Sequence, residues 1–165
     1  MSKHKKILTA ALCAAMMLSA TACNRASNQM AETFIVCDTI ADTEEMVGYY
    51  TMLPETIEGH DTRALGVSRE GGIVQGLYLD DGDGEICIRK AIGDNDISGD
   101  TNSYPEESTI QVLHFDATVK GSDGKVNVAT WKQFGWTYSI TSNKGLDKAA
   151  MVSLISYVGD EAIGC

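Results

Sequence analysis

Residues 62–92 read TRALGVSREGGIVQGLYLDDGDGEICIRKAI, and they decide the fold because two glycine-rich breaks separate three strand-like runs. The breaks are EGG at 70–72 and DDGDG at 80–84, and residues of this kind favour tight turns between paired strands. The stretch therefore predicts three consecutive antiparallel strands. The predicted strands are 62–69, 72–79 and 84–92.

The third of these runs alternates between two sets of side chains, as a strand with one buried face does. We expect one face to belong to the core and the other to meet solvent or a partner. The residues of the expected core face are Ile86, Ile88 and Ile92. Those of the opposite face are Glu85, Cys87 and Arg89.

Upstream of this stretch, residues 33–40 predict a strand and residues 41–49 predict a short helix. Asp42 or Thr43 would cap the start of the helix, since both types accept hydrogen bonds from free backbone amides. Gly48 would end it.

Residues 50–59 are then expected to be extended, and four more strands are predicted downstream of the opening stretch. Asp123-Gly124 is a strong signal for a two-residue hairpin turn, and residues 133–135 predict a second turn. The four strands are 109–113, 115–121, 126–132 and 136–142.

A closing helix is predicted at 146–159, where Asp147 can cap the start and Gly159 can form the end. One face of this helix is apolar and needs a sheet to cover. It carries Ala150, Met151, Leu154, Ile155 and Val158.

These elements together predict an α+β fold within one domain at 33–160, followed by a tail at 161–165. We expect a mostly antiparallel meander sheet of about 7–9 strands, with a short N-terminal helix and a C-terminal helix packed on one face. A chain of this length is sufficient for one core.

The first 22 residues have the organisation of an export signal peptide, with Lys3, Lys5 and Lys6 before an apolar run and a small-residue ending. The apolar run is too short for a permanent transmembrane helix, which needs about 20 residues. We therefore expect the leader to be removed.

The ending LSATAC, at 18–23, resembles the lipobox of bacterial lipoproteins. The resemblance implies that Cys23 carries a lipid and becomes the first residue of a chain anchored to the outer face of the bacterial cell membrane. Residues 23–32 would form the tether. Ala20-Thr21-Ala22 also fits an ordinary cleavage site, so free secretion stays open.

Removal of the leader with its three lysines leaves ten basic residues against 23 acidic ones, a formal charge of −13. An acidic chain lacks the basic patch that nucleic acid or anionic lipid headgroups require. We therefore predict no nucleic-acid partner, and we expect any membrane attachment to come from acyl chains on Cys23.

Three cysteines remain after the leader and Cys23 are set aside, in an exported setting where disulfides can form. A bridge between Cys37 and Cys87 is permitted by the sequence, and so are two unpaired thiols. Cys165 could be free or could pair between molecules.

The stretch GDNDISGD, at 93–100, has the look of a calcium loop. Counted from Asp94, however, the position that needs a bidentate glutamate is Pro105 and the apolar position is Thr101, so the EF-hand pattern fails. We predict no metal and a polar loop that bonds its own backbone. The residual oxygen-ligand candidates are Asp94, Asp96, Asp100 and Asn102.

No catalytic motif is present, and only His60 and His114 could serve the mature chain as an imidazole base. Both lie in expected turns. We predict that the protein is not an enzyme and has no cofactor. A hydrolase with either histidine beside an acid in a cleft is kept as an alternative.

The densest aromatic cluster lies across the predicted second hairpin, where the rings could form a core layer or a ligand platform. An aromatic side chain on the outer face would be the best binding surface in the chain. The candidates for that surface are Trp131, Phe134, Trp136 and Tyr138.

The order LPETIEGHDTR, GEICIRKAIGDNDISGD and VNVATWKQFGWTYSITSNKGLDKAAMVSLI resembles a family of uncharacterised bacterial cell-envelope lipoproteins. The C-terminal part resembles, more loosely, domains attached to lipoprotein-carrier-like envelope proteins. The resemblance implies a location and a fold, and it brings no catalytic residue.

The expected function is that of an extracytoplasmic, lipid-anchored binding module whose partner is an envelope protein, peptide or glycan. A carrier or sensor is the alternative, with an apolar ligand held between the sheet and the C-terminal helix. That alternative requires a sizeable apolar cavity.

Overall fold

The computed structural model describes residues 34–70 and 72–160, which form eight strands and two helices. The predicted α+β class and the covering of the sheet by the last helix are confirmed. The elements are β1 Phe34–Cys37, α1 Ile40–Val47, β2 Thr62–Ser68, β3 Ile73–Leu79, β4 Glu85–Ile92, β5 Glu106–Val112, β6 Phe115–Ser122, β7 Lys125–Gln133, β8 Trp136–Asp147 and α2 Lys148–Asp160.

The strands form one antiparallel sheet in the order β1-β2-β3-β4-β8-β7-β6-β5. Two four-stranded meanders are therefore joined through β4 and β8, and the second runs inward from the far edge. Residues 93–105 carry the chain from the middle of the sheet to β5 at that edge. This connection explains why a long polar stretch separates the two groups of hairpins.

The short first helix begins at Ile40, one residue before the predicted start, and the expected caps Asp42 and Thr43 were wrong. Its N-cap is Thr39, whose hydroxyl accepts from the Asp42 amide at 3.1 Å while the Asp42 carboxylate accepts from the Thr39 amide at 2.8 Å. Thr43 is fully buried and donates to the Ile40 carbonyl. This capping box is favoured over a single cap at Asp42 or Thr43 because it gives hydrogen-bond partners to two free backbone amides. Gly48 ends the helix at φ 75°, as predicted.

Residues 50–59, expected to be extended, form no strand of the sheet, and one isolated bridge joins Ile57 to His60. Leu53 and Pro54 are nonetheless buried, and the Pro54 carbonyl accepts from the Tyr78 hydroxyl at 2.6 Å. The segment therefore packs on the same side of the sheet as the helices.

The main core lies between the sheet and α2. Met151, Ile155 and Val158 are at most 2% exposed there, whereas Ala150 is exposed and Leu154 is half-buried, so the predicted stripe is narrower than expected. The three buried side chains pack between the helix and the sheet. A second apolar cluster of Phe34, Leu77 and Cys87 lies on the other face.

The face of β4 that we expected to meet solvent is partly covered, because the connection at 93–105 crosses it. Ile97 and Ser98 are buried, and their carbonyl oxygens accept from the Arg89 guanidinium at 3.0 and 2.9 Å. Cys87, on the same face, is buried in the cluster with Phe34 and Leu77. Ile92 lies at the end of the strand and is 69% exposed, so its assignment to the core was wrong.

Cys37 and Cys87 are both buried free thiols. Cys37 belongs to the main core and Cys87 to the cluster on the opposite face, so the sheet separates their sulfur atoms. A bridge between them does not form. Burial raises the pKa of the Cys87 thiol to about 11.

Two buried tyrosines on the main core side differ in the hydrogen bonding of their hydroxyl groups. The Tyr78 hydroxyl donates to Pro54, whereas the Tyr138 hydroxyl has no hydrogen-bond partner within residues 34–70 and 72–160. We expect Tyr78→Phe to lower the free energy of unfolding by about 1 kcal/mol and Tyr138→Phe to leave it unchanged or raise it slightly. Urea unfolding of both variants tests this. Equal destabilisation would contradict it.

The same hydroxyl predicts a pH dependence. Burial raises the pKa of Tyr138 to about 12, while the unfolded chain ionises near 10. The neutral form is favoured by folding, so this contribution is complete below about pH 10 and is lost as the pH rises towards 12. Urea unfolding at pH 8 and 11 should show a smaller loss for Tyr138→Phe than for the wild type. Identical losses of unfolding free energy in the two proteins would argue against a contribution from Tyr138.

Candidate functional site

The feature that stands out is one end of the sheet, which we call the hairpin end. It comprises the end of β4 and the β5–β6 and β7–β8 turns. Three large apolar side chains project there: Ile92 is 69% exposed, Leu113 51% and Phe134 68%. Exposed apolar side chains scattered singly are normal, but a group at one location indicates a contact surface.

Backbone pairing brings these side chains together. Ile92 is the cross-strand partner of Trp136, and the Gly93 amide donates to the Gly135 carbonyl at 2.9 Å. The Phe134 ring lies 6.1 Å from the ring of His114, which follows Leu113 in the chain. The exposed groups thus lie along one end of the sheet, from β4 through the β7–β8 turn to the β5–β6 turn.

The turn at Phe134 breaks a local sequence preference. Phe134 has φ 51° and Gly135 φ 82°, nearly the values of Asp123 and Gly124, 54° and 74°. Asp-Gly suits these angles, whereas a bulky side chain at positive φ is an outlier that costs about 1 kcal/mol or more. Phe134 is mostly exposed, so burial does little to offset that strain.

Leu113 repeats this pattern in the neighbouring turn, with φ 53° and half of its side chain exposed. Two adjoining hairpins therefore place a bulky apolar residue where asparagine or glycine would fold more easily. Strained residues of this kind cluster at binding sites, which supports a functional reading of this end.

The buried ammonium group of Lys90 contacts residues of the hairpin end and of the segment that follows α1. Lys90 Nζ lies 4.5 Å from the centre of the Trp136 ring and 5.8 Å from that of Tyr49, and it donates to the Tyr50 carbonyl at 2.8 Å. Cation–π contacts of this kind strengthen when water is excluded. They hold the segment after α1 against β8.

Tyr49 completes this support. Its ring meets Trp136 edge-on at 4.6 Å, and its hydroxyl shares its one proton between the Gly72 and Lys90 carbonyl oxygens, at 3.0 and 3.1 Å. Burial raises the pKa of Tyr49 to about 12. Trp136 is therefore half-buried, with its covered part rigidly held.

Of the four aromatic residues predicted to form a binding surface, two lie in the core and two at the hairpin end. Trp131 and Tyr138 are 3% and 2% exposed and stack at 5.1 Å, so they form a core layer and present nothing to a ligand. Phe134 and Trp136 lie at the hairpin end. Sequence reasoning missed Ile92 and Leu113, although the position of Leu113 as the last residue of a predicted strand, directly before a turn, could have indicated its exposure.

A polar groove of about 520 Å³ opens beside the hairpin end. Its lining combines threonine hydroxyls from three strands with two carboxylates of the 93–105 connection, one carboxylate of β6, one lysine and two core rings. The lining residues are Asp94, Asp96, Phe115, Asp116, Thr118, Thr130, Trp131, Lys132 and Thr137.

The calcium candidates behave as a polar loop. Asp96 accepts from the Ser98 amide at 2.8 Å, a bond that holds the pKa of Asp96 below its ordinary value. Asp100 accepts from the Asn102 amide at 2.8 Å and from the Tyr104 hydroxyl at 2.9 Å. Within 34–70 and 72–160, no group of three or more acidic, histidine or cysteine side chains is arranged to hold a metal ion.

The two histidines have ordinary surroundings. The His60 ring lies 3.2 Å from the Glu58 carbonyl oxygen, and His114 Nε2 lies 2.9 Å from Gln133 Nε2. Neither contact supplies the carboxylate partner that the hydrolase alternative requires.

Comparisons of the chain with protein-family models, with curated proteins and with solved structures find no match. The resemblances to envelope lipoproteins therefore stay predictions. Cys23, the leader, the tether and Cys165 lie outside the described residues. In the part of the chain that the structure describes, neither helix has the length and hydropathy needed to cross a membrane.

The strain at Phe134 yields a stability prediction with a matched control. Phe134→Asn should raise the free energy of unfolding by about 0.5–1 kcal/mol, because asparagine tolerates positive φ. Asp123→Phe, in the equivalent turn, should lower it by about 1 kcal/mol. Chemical denaturation measures both changes. A destabilised Phe134→Asn would mean that the ring is held by packing.

Proposed function

We propose that this chain is an exported, lipid-anchored binding module without catalytic activity, and that the hairpin end is its contact surface within the envelope. The observation that carries the proposal is the placement of Phe134 and Leu113, both apolar, exposed and at positive φ. A position that is poor for folding and has no compensating burial is typical of a binding role.

The anchoring part of the proposal depends on the leader and on the lipobox-like LSATAC that ends at Cys23. Two acyl chains suffice for stable attachment, whereas the acidic chain offers no basic patch for anionic headgroups. The domain would then act at the membrane surface.

The carrier alternative requires a cavity between the sheet and α2. Met151 and Ile155 are fully buried at that position, and Val158 is 2% exposed. Close packing there gives this alternative no support. The contacts of His60 and His114 likewise give none to a hydrolase.

Anchoring is tested by expressing the full chain with its leader in bacteria. We expect the wild type in the membrane fraction, with a mature N-terminal peptide that begins at Cys23 and carries the mass of a diacylglycerol thioether. Cys23→Ser should release the protein from membranes. A mature chain with an unmodified Cys23 would instead show free secretion, and a cytosolic chain with an intact leader would overturn the proposal.

A further inference from the structure

The folded domain begins at the hairpin end. Phe34, the first residue of β1, is paired with Ser68 at the end of β2, and β3 then starts at Ile73 opposite Ala91. Ala91 directly precedes Ile92. The preceding chain therefore joins the sheet at the same end that carries the exposed apolar side chains.

The length of chain before Phe34 makes this coincidence informative. Phe34 lies eleven positions after Cys23. A chain of that length without regular structure spans about 20 Å on average, while a seven-residue strand such as β3 is about 23 Å long. An anchor on Cys23 would hold the hairpin end closer to the bilayer than the opposite end.

The opposite end of the sheet differs in chemistry. The β3–β4 connection and the β6–β7 turn present carboxylates there, including Asp83 and Asp123, both exposed. Lys144 bridges Asp80 and Asp83 at 3.0 and 2.7 Å. Charged groups of this kind favour water. The hairpin end also carries exposed carboxylates, at Asp94 and Asp116, so what distinguishes it is the projection of large apolar side chains beside them.

The exposed side chains of the hairpin end suit a lipid interface. Phe134 and Leu113 project from two hairpin turns, and Tyr50, 57% exposed, follows a ring that packs on Trp136. Tyrosine and tryptophan side chains are enriched where hydrocarbon meets water. Projecting apolar tips can enter the boundary between headgroups and acyl chains without a complementary partner surface.

We propose that the hairpin end rests in the interfacial layer of the bilayer that holds the anchor, with Phe134, Leu113 and Ile92 in contact with lipid. This inference rests on the proposed lipid anchoring and names the occupant of the proposed contact surface. Contacts that are weak alone become effective because the tether sets a local concentration of about millimolar. Apolar contact drives the docking, since the chain without its leader carries a formal net charge of −13.

The test places one fluorescent probe at each end of the lipidated full-length protein. Phe134→Trp and Asp123→Trp occupy equivalent turns at opposite ends of the sheet. Each variant is reconstituted into vesicles of phosphatidylcholine with or without brominated acyl chains, and its emission is compared with that of the wild type. Co-flotation with the vesicles reports anchoring separately.

We expect Phe134→Trp to co-float and to lose at least half of its added emission in brominated vesicles, while Asp123→Trp loses little. Co-flotation with no added quenching, or with equal quenching at both ends, would overturn the inference and leave the anchoring intact. A blue shift at position 134 without quenching would assign the end to a second copy of the chain. Failure to co-float would refute the anchoring itself.

Replacement of the exposed apolar side chains provides a second test of lipid contact. Leu113→Asn combined with Ile92→Asn should reduce the quenching of Phe134→Trp severalfold without affecting co-flotation. Val36→Asn, a change of an equally exposed apolar residue on edge strand β1, should have no such effect. Unchanged quenching in the double variant would contradict lipid contact through these side chains.

Discussion

The pairing of β4 with β8 is the constraint on which the rest of the structure depends. It runs from Ile86 opposite Ser142 to Ile92 opposite Trp136 and joins two meanders that would otherwise be separate. Thr137 extends the join by donating to the Gly93 carbonyl at 2.6 Å. Because β4 ends beside the β7–β8 turn, exposed side chains from distant parts of the sequence meet there.

The same pairing determines what covers the second face of the sheet. With β8 beside β4, the chain must reach β5 at the far edge before it can return, and residues 93–105 cross the sheet to do so. Arg89 holds that crossing through two carbonyl oxygens. The face of the sheet that a simple meander would expose to solvent is therefore partly covered, and Cys87 is buried on that face.

Local chemistry in the sequence was sufficient to predict the hairpins, the Asp123-Gly124 turn and the apolar stripe of α2, because each depends on neighbouring residues. The order of the strands depends on contacts far apart in the chain, so no local signal indicated that Ile92 would end beside Trp136. The exposure of Ile92 was missed for this reason. The predicted turn at 133–135 already placed Phe134 outside the strands. Strand alternation did not indicate which face of the sheet would be covered, so buried Trp131 and Tyr138 stayed among the candidates for the surface.

The central claim is that the hairpin end meets lipid while the opposite end meets water. Spin labels at Leu113→Cys and Asp81→Cys, each in a Cys165→Ser background, test it most directly through their collisions with oxygen and with an aqueous nickel complex. Buried Cys37 and Cys87 should stay unlabelled. For vesicle-bound protein, the account predicts that oxygen dominates at position 113 and nickel at position 81. Equal aqueous accessibility at both positions would contradict it.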